Sequence, residues 1–382
     1  AVLLRRGDTW YENINAQNGV SYSAYGTGAK PRVFKAYNAM QGTWVLTDTP
    51  NIWRYEQTFD DTDIGNVVFN DGAFCGQRKF SVEDMTENLD FFISNQYAKV
   101  ADTENKLYLR CEAGNPQDVF SQIDISRAGS IILIAGDGHD IAVNNLELRY
   151  AQDIAFMQGG KNISFSYCVC GWTGGTVFDN EAKARYGGGA GGWLFCENFS
   201  FEYCHIYEQW DSGVTPQYNW RDEVAGVFKN FTTTDCLFEG CQYTLEYFHT
   251  QKTVTDNGFD NMQFNYNICL DGGRGFGTDT QARVDTSAYV KSWGHENTCV
   301  NSAITHNIFD RAAALSIEII GHNFGDSDKD VCYNSIPKLY RNMYIEPRNK
   351  EFANINRIRY KFNEDTYRLL ELLGVDKDSV YI

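Results

Sequence analysis

Short runs in which apolar and polar residues alternate recur along the chain. The run "KNISFSYCVCGW", beginning at Lys161, has the period-two pattern of a half-buried strand. Its shape returns as "ENFSFEYCHIYE" and "KNFTTTDCLFEG", and more loosely as "DNMQFNYNICLD" and "VNSAITHNIFDR". Aligned on the leading polar residue, Asp140, Asn162, Asn198, Asn230, Asn261 and Asn301 fall in register at intervals of 22, 36, 32, 31 and 40 residues. One residue past this anchor stand Ile141, Ile163, Phe199, Phe231, Met262 and Ser302. Eight past it stand Leu148, Cys170, Ile206, Phe238, Cys269 and Phe309, and both sets read as inward positions. Six past it come Leu146, Cys168, Cys204, Cys236, Asn267 and Asn307, a stack of small or amide side chains at one corner. Strands repeating at more than about 20 residues, with a constant core and variable insertions, predict an all-β solenoid.

The repeat also explains two features that suggest chemistry. The cysteines at the sixth position read as a packing ladder, since a free thiol behaves as a small buried hydrophobe. The Asn-Xaa-Ser/Thr matches at Asn162, Asn198 and Asn230 follow from Asn opening each strand and Ser or Thr facing outward. Cys168 and Cys170 lack a second close Cys or His pair at finger-like spacing, so no metal is expected.

Residues 1–355 read as one solenoid domain, with an irregular insertion at about 66–117, and residues 356–382 as a tail with a capping helix. The first 60 residues hold two strand-and-turn units. In the insertion, "KFSVEDMTENLDFF" reads as a short helix or loop, and "NKLYLRCEAGNPQ" as a strand and turn. Near the end, "NEDTYRLLELLGV" has Tyr367, Leu370 and Leu373 at helical spacing after an Asn/Asp start. A helix there would cover the open end of a solenoid whose last strands are otherwise bare edges.

Of the 382 residues, 43% are hydrophobic, enough for a large core, and 34 glycines with 15% aromatics suit short strands joined by turns. Fifty acidic against 33 basic residues give a formal charge of -17, which repels nucleic acid and anionic membranes. The same charge argues against a polyuronate substrate unless calcium or a local basic patch intervenes. No apolar run approaches the roughly 20 residues of a membrane span. Eleven cysteines, an odd number lying mostly in the strand repeat, argue against a disulfide framework. That fits a reducing compartment or an anaerobe's exterior, with a secreted or cell-surface bacterial setting favoured. The chain opens inside a strand-like run, so a signal peptide or first coil is expected to precede it. Oligomeric state is not legible.

The turn "RRGDTWYE" with "YSAYGTGAKPRV", the segment "NLDFFISN" with "NKLYLRCEAGNP", and the repeats resemble the right-handed parallel β-helix proteins among bacterial carbohydrate-active enzymes, which have the pectin-lyase-like fold. Many come from gut bacteria. The group includes glycoside hydrolases, among them β-xylosidase and lacto-N-biosidase families, and also polysaccharide lyases and epimerases. The resemblance implies the fold, a carbohydrate substrate and no cofactor, and leaves the reaction open.

In such a fold, outward residues of consecutive coils stack about 4.8 Å apart into a continuous wall. Aligning "DSGVTPQ" on Val214, "QYTLEYF" on Leu245, "GRGFGTD" on Phe276 and "AAALSIE" on Leu315 places Thr215, Glu246, Gly277 and Ser316 outward, with Asp211 at the mouth of the first strand. If "AGGWLF" precedes them, Trp193 stands beside Thr215. A glycosidase needs two carboxyl groups about 5 to 9.5 Å apart, one protonated and one ionised. Asp211 and Glu246, on adjacent coils, are the expected catalytic pair. Trp193 is the expected sugar platform, and Arg185, Tyr186 and His249 are expected substrate contacts. Glu208, Asp179, Glu181, Asp222 and Glu223 are further acidic candidates, while Glu318 reads as a solvated or ladder residue. The segment "GTDTQARVDTSAYVKSWGHENT" reads as a loop between coils and offers Arg283, Lys291, Trp293 and His295. The leading expectation is a glycoside hydrolase for a neutral or lightly charged oligo- or polysaccharide. A lyase or uronate epimerase, using Arg185, Lys291 or Tyr186, and a non-catalytic glycan-binding solenoid stay open beside it.

Overall fold

The computed structural model describes residues 1–101, 104–157, 159–179, 181, 183–193, 196–218, 227–249, 258–277, 287–293, 298–320, 336–355, 357–366, 368–369 and 378–382. At Asp179, Trp193, Phe248, His249 and Trp293 the backbone alone is described.

The described chain is almost entirely β, and most of its strands lie in three long parallel sheets that the chain visits in rotation. The first sheet takes in Ser21–Tyr25, His139–Asn144, Gly160–Ser166, Cys196–Glu202, Val227–Thr234, Gln263–Asn265, Ala303–Thr305 and Lys338–Tyr340 in spatial order. The second takes Arg32–Phe34, Glu147–Arg149, Val169–Thr173, His205–Gln209, Leu237–Glu239, Ile268–Leu270, Ile308–Asp310 and Met343–Ile345. The third begins at Ala155–Met157 and continues through Ala190–Trp193, Ser212–Tyr218, Tyr243–His249, Ala288–Trp293, Leu315–Ile320 and Glu351–Ile355. Pairing follows the alignment read from the sequence: Ile141 pairs with Ile163, Ile163 with Phe199, and Phe199 with Phe231. All four are buried in one core with Cys170, Ile206 and Phe238.

The corners have a conformational rule that the hydrophobic pattern does not reveal. Every anchor residue is left-handed, from Asn301 at φ 52° to Asn261 at φ 62°. So are the residues five further on (Asn145, Tyr167, Tyr203, Asp235, Tyr266, His306) and ten further on (Tyr150, Trp172, Glu208, Gly240, Asp271, Arg311). One left-handed residue turns the chain sharply between two strands. It costs an ordinary side chain roughly 1–2 kcal/mol, less for Asn or Asp, whose short polar groups bond locally. At the anchors those groups form a ladder: Asn162 donates to Asp140 at 2.7 Å, Asn198 to Asn162 at 2.6 Å, Asn230 to Asn198 at 2.7 Å and Asn261 to Asn230 at 2.8 Å.

The sixth-position stack is present. Cys168, Cys204 and Cys236 are buried, unpaired thiols, and the Cys204 backbone N–H points at Cys236 Sγ, 3.4 Å away. Amides then replace sulfur: the Cys236, Asn267 and Asn307 N–H groups donate to Asn267, Asn307 and Asn342 Oδ1 at 3.0, 2.9 and 3.0 Å. The Asn342 N–H donates to Ser379 Oγ at 3.1 Å. Buried corner N–H groups that the sheets cannot pair are satisfied in this way.

Between Asn38 and Ile123 the chain leaves the three sheets. Trp44–Leu46, Ile52–Tyr55, Gln77–Lys79, Asp90–Ile93 and Leu107–Arg110 form a five-stranded sheet over a separate core of Trp44, Tyr55, Phe59, Phe91, Ile93, Leu107 and Leu109. The excursion therefore starts upstream of residue 66, where the sequence reading placed it, because "TWVL" and "NIWRY" pair within it. In the segment "KFSVEDMTENLDFF", turns lead into the strand Asp90–Ile93. At the far end Phe352, Tyr360, Phe362 and Leu369 close the main core, and Val380–Tyr381 adds to the second sheet. Thr366, Arg368 and Leu369 are helical, while Tyr367, Leu370 and Leu373 of the expected capping helix lie outside the described residues. No helix among the described residues is long and apolar enough to cross a membrane.

Candidate active site

The inward row of the third sheet is Ala155, Ala190, Val214, Leu245, Val290, Ile317 and Ala353, paired in that order. One residue further on, the opposite face carries Thr215, Glu246, Lys291, Glu318 and Asn354; Glu246 pairs with Lys291, Lys291 with Glu318, and Glu318 with Asn354. A face turned away from the core is ordinarily wet. Here all five are buried, and Lys291 and Glu318 are 0% exposed. Charges held away from water must be paired, and such clusters concentrate where chemistry is done.

The row is paired. Lys291 bonds Glu318, whose other oxygen accepts from Asn354 Nδ2 at 3.0 Å, and the Lys291 ammonium lies 4.9 Å from the Tyr243 ring centroid. Glu246 Oε2 accepts from Ser212 Oγ at 2.6 Å and from Gln217 Nε2 at 3.1 Å.

A second group of carboxyls sits at the entrance to the same sheet. Asp153 precedes the first strand and Asp211 precedes Ser212–Tyr218, with Gly187, Gly188 and Gly189 on the coil between them. The Gly188 N–H donates to Asp153 Oδ1 at 3.2 Å, and a Cβ on Gly188 would stand 3.2 Å from the Asp211 nitrogen. All three glycines have positive φ, and the missing side chains let the coils on either side approach. Burial, reinforced by the charge of Asp211 and only partly offset by the Gly188 N–H, pushes the Asp153 carboxyl up to about 7. Asp211 is buried, whereas Asp153 keeps part of its surface exposed. The entrance to the sheet therefore holds a carboxyl that keeps its proton into neutral solution, while the outer row holds Glu246 with two donors on one oxygen.

Several expected positions move. Trp193 is in register with Gln217, not Thr215; Gly191 is the partner of Thr215. The third-sheet strand after Tyr243–His249 is Ala288–Trp293, not "GRGFGTD", and its neighbour is in register at Ile317 rather than Leu315. A slip of two residues preserves which face each side chain takes, so alternation alone could not detect it. Lys291 and Glu318 thereby replace Gly277 and Ser316 beside Glu246. Arg185 is buried and structural: its guanidinium donates to the Gly175 and Gly65 carbonyls at 2.6 and 2.5 Å and lies 3.7 Å from the Trp210 ring. It thus ties the excursion to the corner between the second and third sheets. Burial and the neighbouring Arg78 hold its pKa well below the usual arginine range. Tyr186 pairs with Thr176, and its carbonyl accepts from the Gly175 N–H at 2.8 Å. His249 pairs with Tyr218 at the end of its strand. Asp222, Glu223, Arg283 and His295 lie outside the described residues. Among the described residues no cluster of His, Cys, Asp and Glu could hold a metal ion.

No family model matches the chain, and no curated protein matches it. Two solved structures do. One is described as "The complex structure of XylC with xylose", with 9% identity and a TM-score of 0.49, covering 99% of this chain and 77% of that one. The other is described as "Glycoside hydrolase", with 8% identity and a TM-score of 0.49, covering 99% of this chain and 88% of that one.

Proposed function

We propose that this chain is a glycoside hydrolase for a neutral or lightly charged oligo- or polysaccharide, and that its three parallel sheets are the walls of a right-handed parallel β-helix. Cleavage takes place on the outer face of the third sheet. Asp211 and Glu246 flank the scissile bond from adjacent coils, which are about 4.8 Å apart at the backbone. Asp211 and Asp153 hold one proton between them and act together as the acid, protonating the leaving-group oxygen. Glu246, fixed by Ser212 and Gln217, is the nucleophile or the base that activates water. Trp193, in register with Gln217, is the sugar platform.

The observation that supports this reading is the inequality of the carboxyls, with Asp153 pushed up to about 7 beside Asp211 and Glu246 carrying two donors. Glycosidic cleavage needs that division of acid from base. Lyase chemistry is less well served, because both register neighbours of Lys291 are carboxylates, Glu246 and Glu318, which would repel a uronate.

The test is a screen of neutral oligosaccharides and polyuronates, read for new reducing ends and for unsaturated-uronate absorbance. Reducing ends from neutral glycans alone are expected; ultraviolet-absorbing products from polyuronates would replace this reading with a lyase. Asp211→Asn and Glu246→Gln should each lower kcat by at least about 100-fold with the melting temperature kept, the usual range for a lost acid or base. Trp193→Ala should act mainly on KM.

A further inference from the structure

We infer that the corner between the second and third sheets carries a second carbohydrate site, a cleft that binds a neutral sugar unit without cleaving it. Its ligand class rests on the hydrolase reading above. The cleft has a volume of about 470 Å³ and is lined by Tyr207, Glu208, Glu239, Asp271, Arg274 and Arg348 around Gly240. That volume is within the range of small-molecule sites. None of the proposed catalytic residues lines it.

The corner geometry builds it. In the row of left-handed corner residues, Gly240 lies between Glu208 and Asp271 and leaves a gap where its neighbours carry side chains. A Cβ there would stand 3.1 Å from Glu208 Oε1 and 3.2 Å from the Gly275 Cα. Because that space is open, the turn after Asp271 folds back across the corner, and the Phe276 N–H donates to Glu208 Oε2 at 2.7 Å. The same turn brings Arg274 to the rim. Arg348 reaches in from a later coil and donates to Asp271 Oδ1 at 2.8 Å, and His205 meets Glu239 Oε2 at 2.6 Å. The exposed Arg274 guanidinium has no hydrogen-bond or ion-pair partner among the described residues.

The charges select the ligand. Two guanidiniums, of Arg274 and Arg348, balance the carboxylates of Glu239 and Asp271, while burial pushes the Glu208 carboxyl up to about 7 and leaves it largely protonated below that pH. A free anion would meet three carboxyl groups, and a cation would meet two arginines. Interleaved donors and acceptors with no net charge suit a dense array of hydroxyls, which both donate and accept.

The experiment is calorimetric titration of Asp211→Asn protein with cellobiose, xylobiose and lactose, and with digalacturonate as the anionic probe. Two sites per chain are expected for at least one neutral disaccharide. Adding Arg274→Ala should remove one site or weaken it at least 10-fold, and Glu239→Gln, at a half-buried position, should do the same if Arg274→Ala lowers the melting temperature. One site per chain whether or not Arg274 is present, no binding of any neutral disaccharide, or tighter binding of digalacturonate would each overturn the proposal. Residual hydrolysis by the Asp211→Asn protein would count against the cleavage assignment alone, since the site count with and without Arg274 still decides the cleft.

Discussion

Asp153 keeps a proton that an exposed aspartate would have lost three pH units earlier, since its carboxyl is pushed up to about 7 by burial and by Asp211. A carboxyl with a raised folded-state value favours the fold while protonated, and that contribution is lost as pH rises from about 4 to about 7. Asp153→Asn should therefore leave the melting temperature nearly unchanged at pH 4 and raise it by a few degrees at pH 8, as read by differential scanning fluorimetry across pH. In the same variant kcat/KM should fall, and the wild-type decline in kcat/KM above about pH 7 should disappear. The places of Asp211 and Glu246 on the third sheet were legible from strand alignment, whereas that of Asp153 was not. Asp153 lies just before the first third-sheet strand, Ala155–Met157, at the end of the strand Ala151–Asp153, and the repeat alignment did not extend that far. Lys291 was read as a loop residue for a different reason: the glycine-rich segment after Asp271 looks like a strand in its alternation, but turns back over the corner instead, while Glu318 stands in the outward ladder that was one of its two readings.

Among the elements, the corner ladder is the most specific support of the fold. Asn307 accepts from the Asn267 N–H and Nδ2 at 2.9 and 3.0 Å and donates to the Phe264 carbonyl and to Asn342 at 2.8 and 3.0 Å. Asn307→Leu would leave several of these groups buried and unpaired, at about 1–3 kcal/mol each. The melting temperature should fall by several degrees or the chain should fail to fold. Cys168→Ala should cost only about 1 kcal/mol, because its thiol makes weak contacts with the Val143 and Ser166 carbonyls at 3.6 and 3.4 Å. Equal effects on melting would show that the stack works by packing alone. The stack itself could be read from spacing, since period-two alternation sets which side chains meet. Its left-handed corners were not read: Asn or Asp stands at every anchor, but five and ten residues on Tyr, Trp, His and Arg take the same conformation, so composition carries little signal there.

At the scale of the whole molecule, the ends decide whether a stack of coils persists. The last core layer is closed by Phe362 and Leu369 and by Tyr381, whose ring stacks on Tyr344 at 5.4 Å. Removing everything after Asn363 takes away Leu369 and the strand Val380–Tyr381, baring an edge and an aromatic core. Such a truncated chain should melt several degrees lower and scatter light on storage; unchanged melting would mean that the end of the core is closed without them. That the end needs covering was legible from the bare edges that the last strands of such a stack would leave. That a returning strand shares the task was not, because "SVYI" is too short to carry a period. The sealed thiols have a separate consequence. Cys168, Cys170 and Cys269 are buried with pKa values well above the usual cysteine range, and only the thiolate reacts with alkylating agents. The native chain thus contains its own clock: the rate at which iodoacetamide consumes these sulfurs times how often the coils part, with no label engineered in.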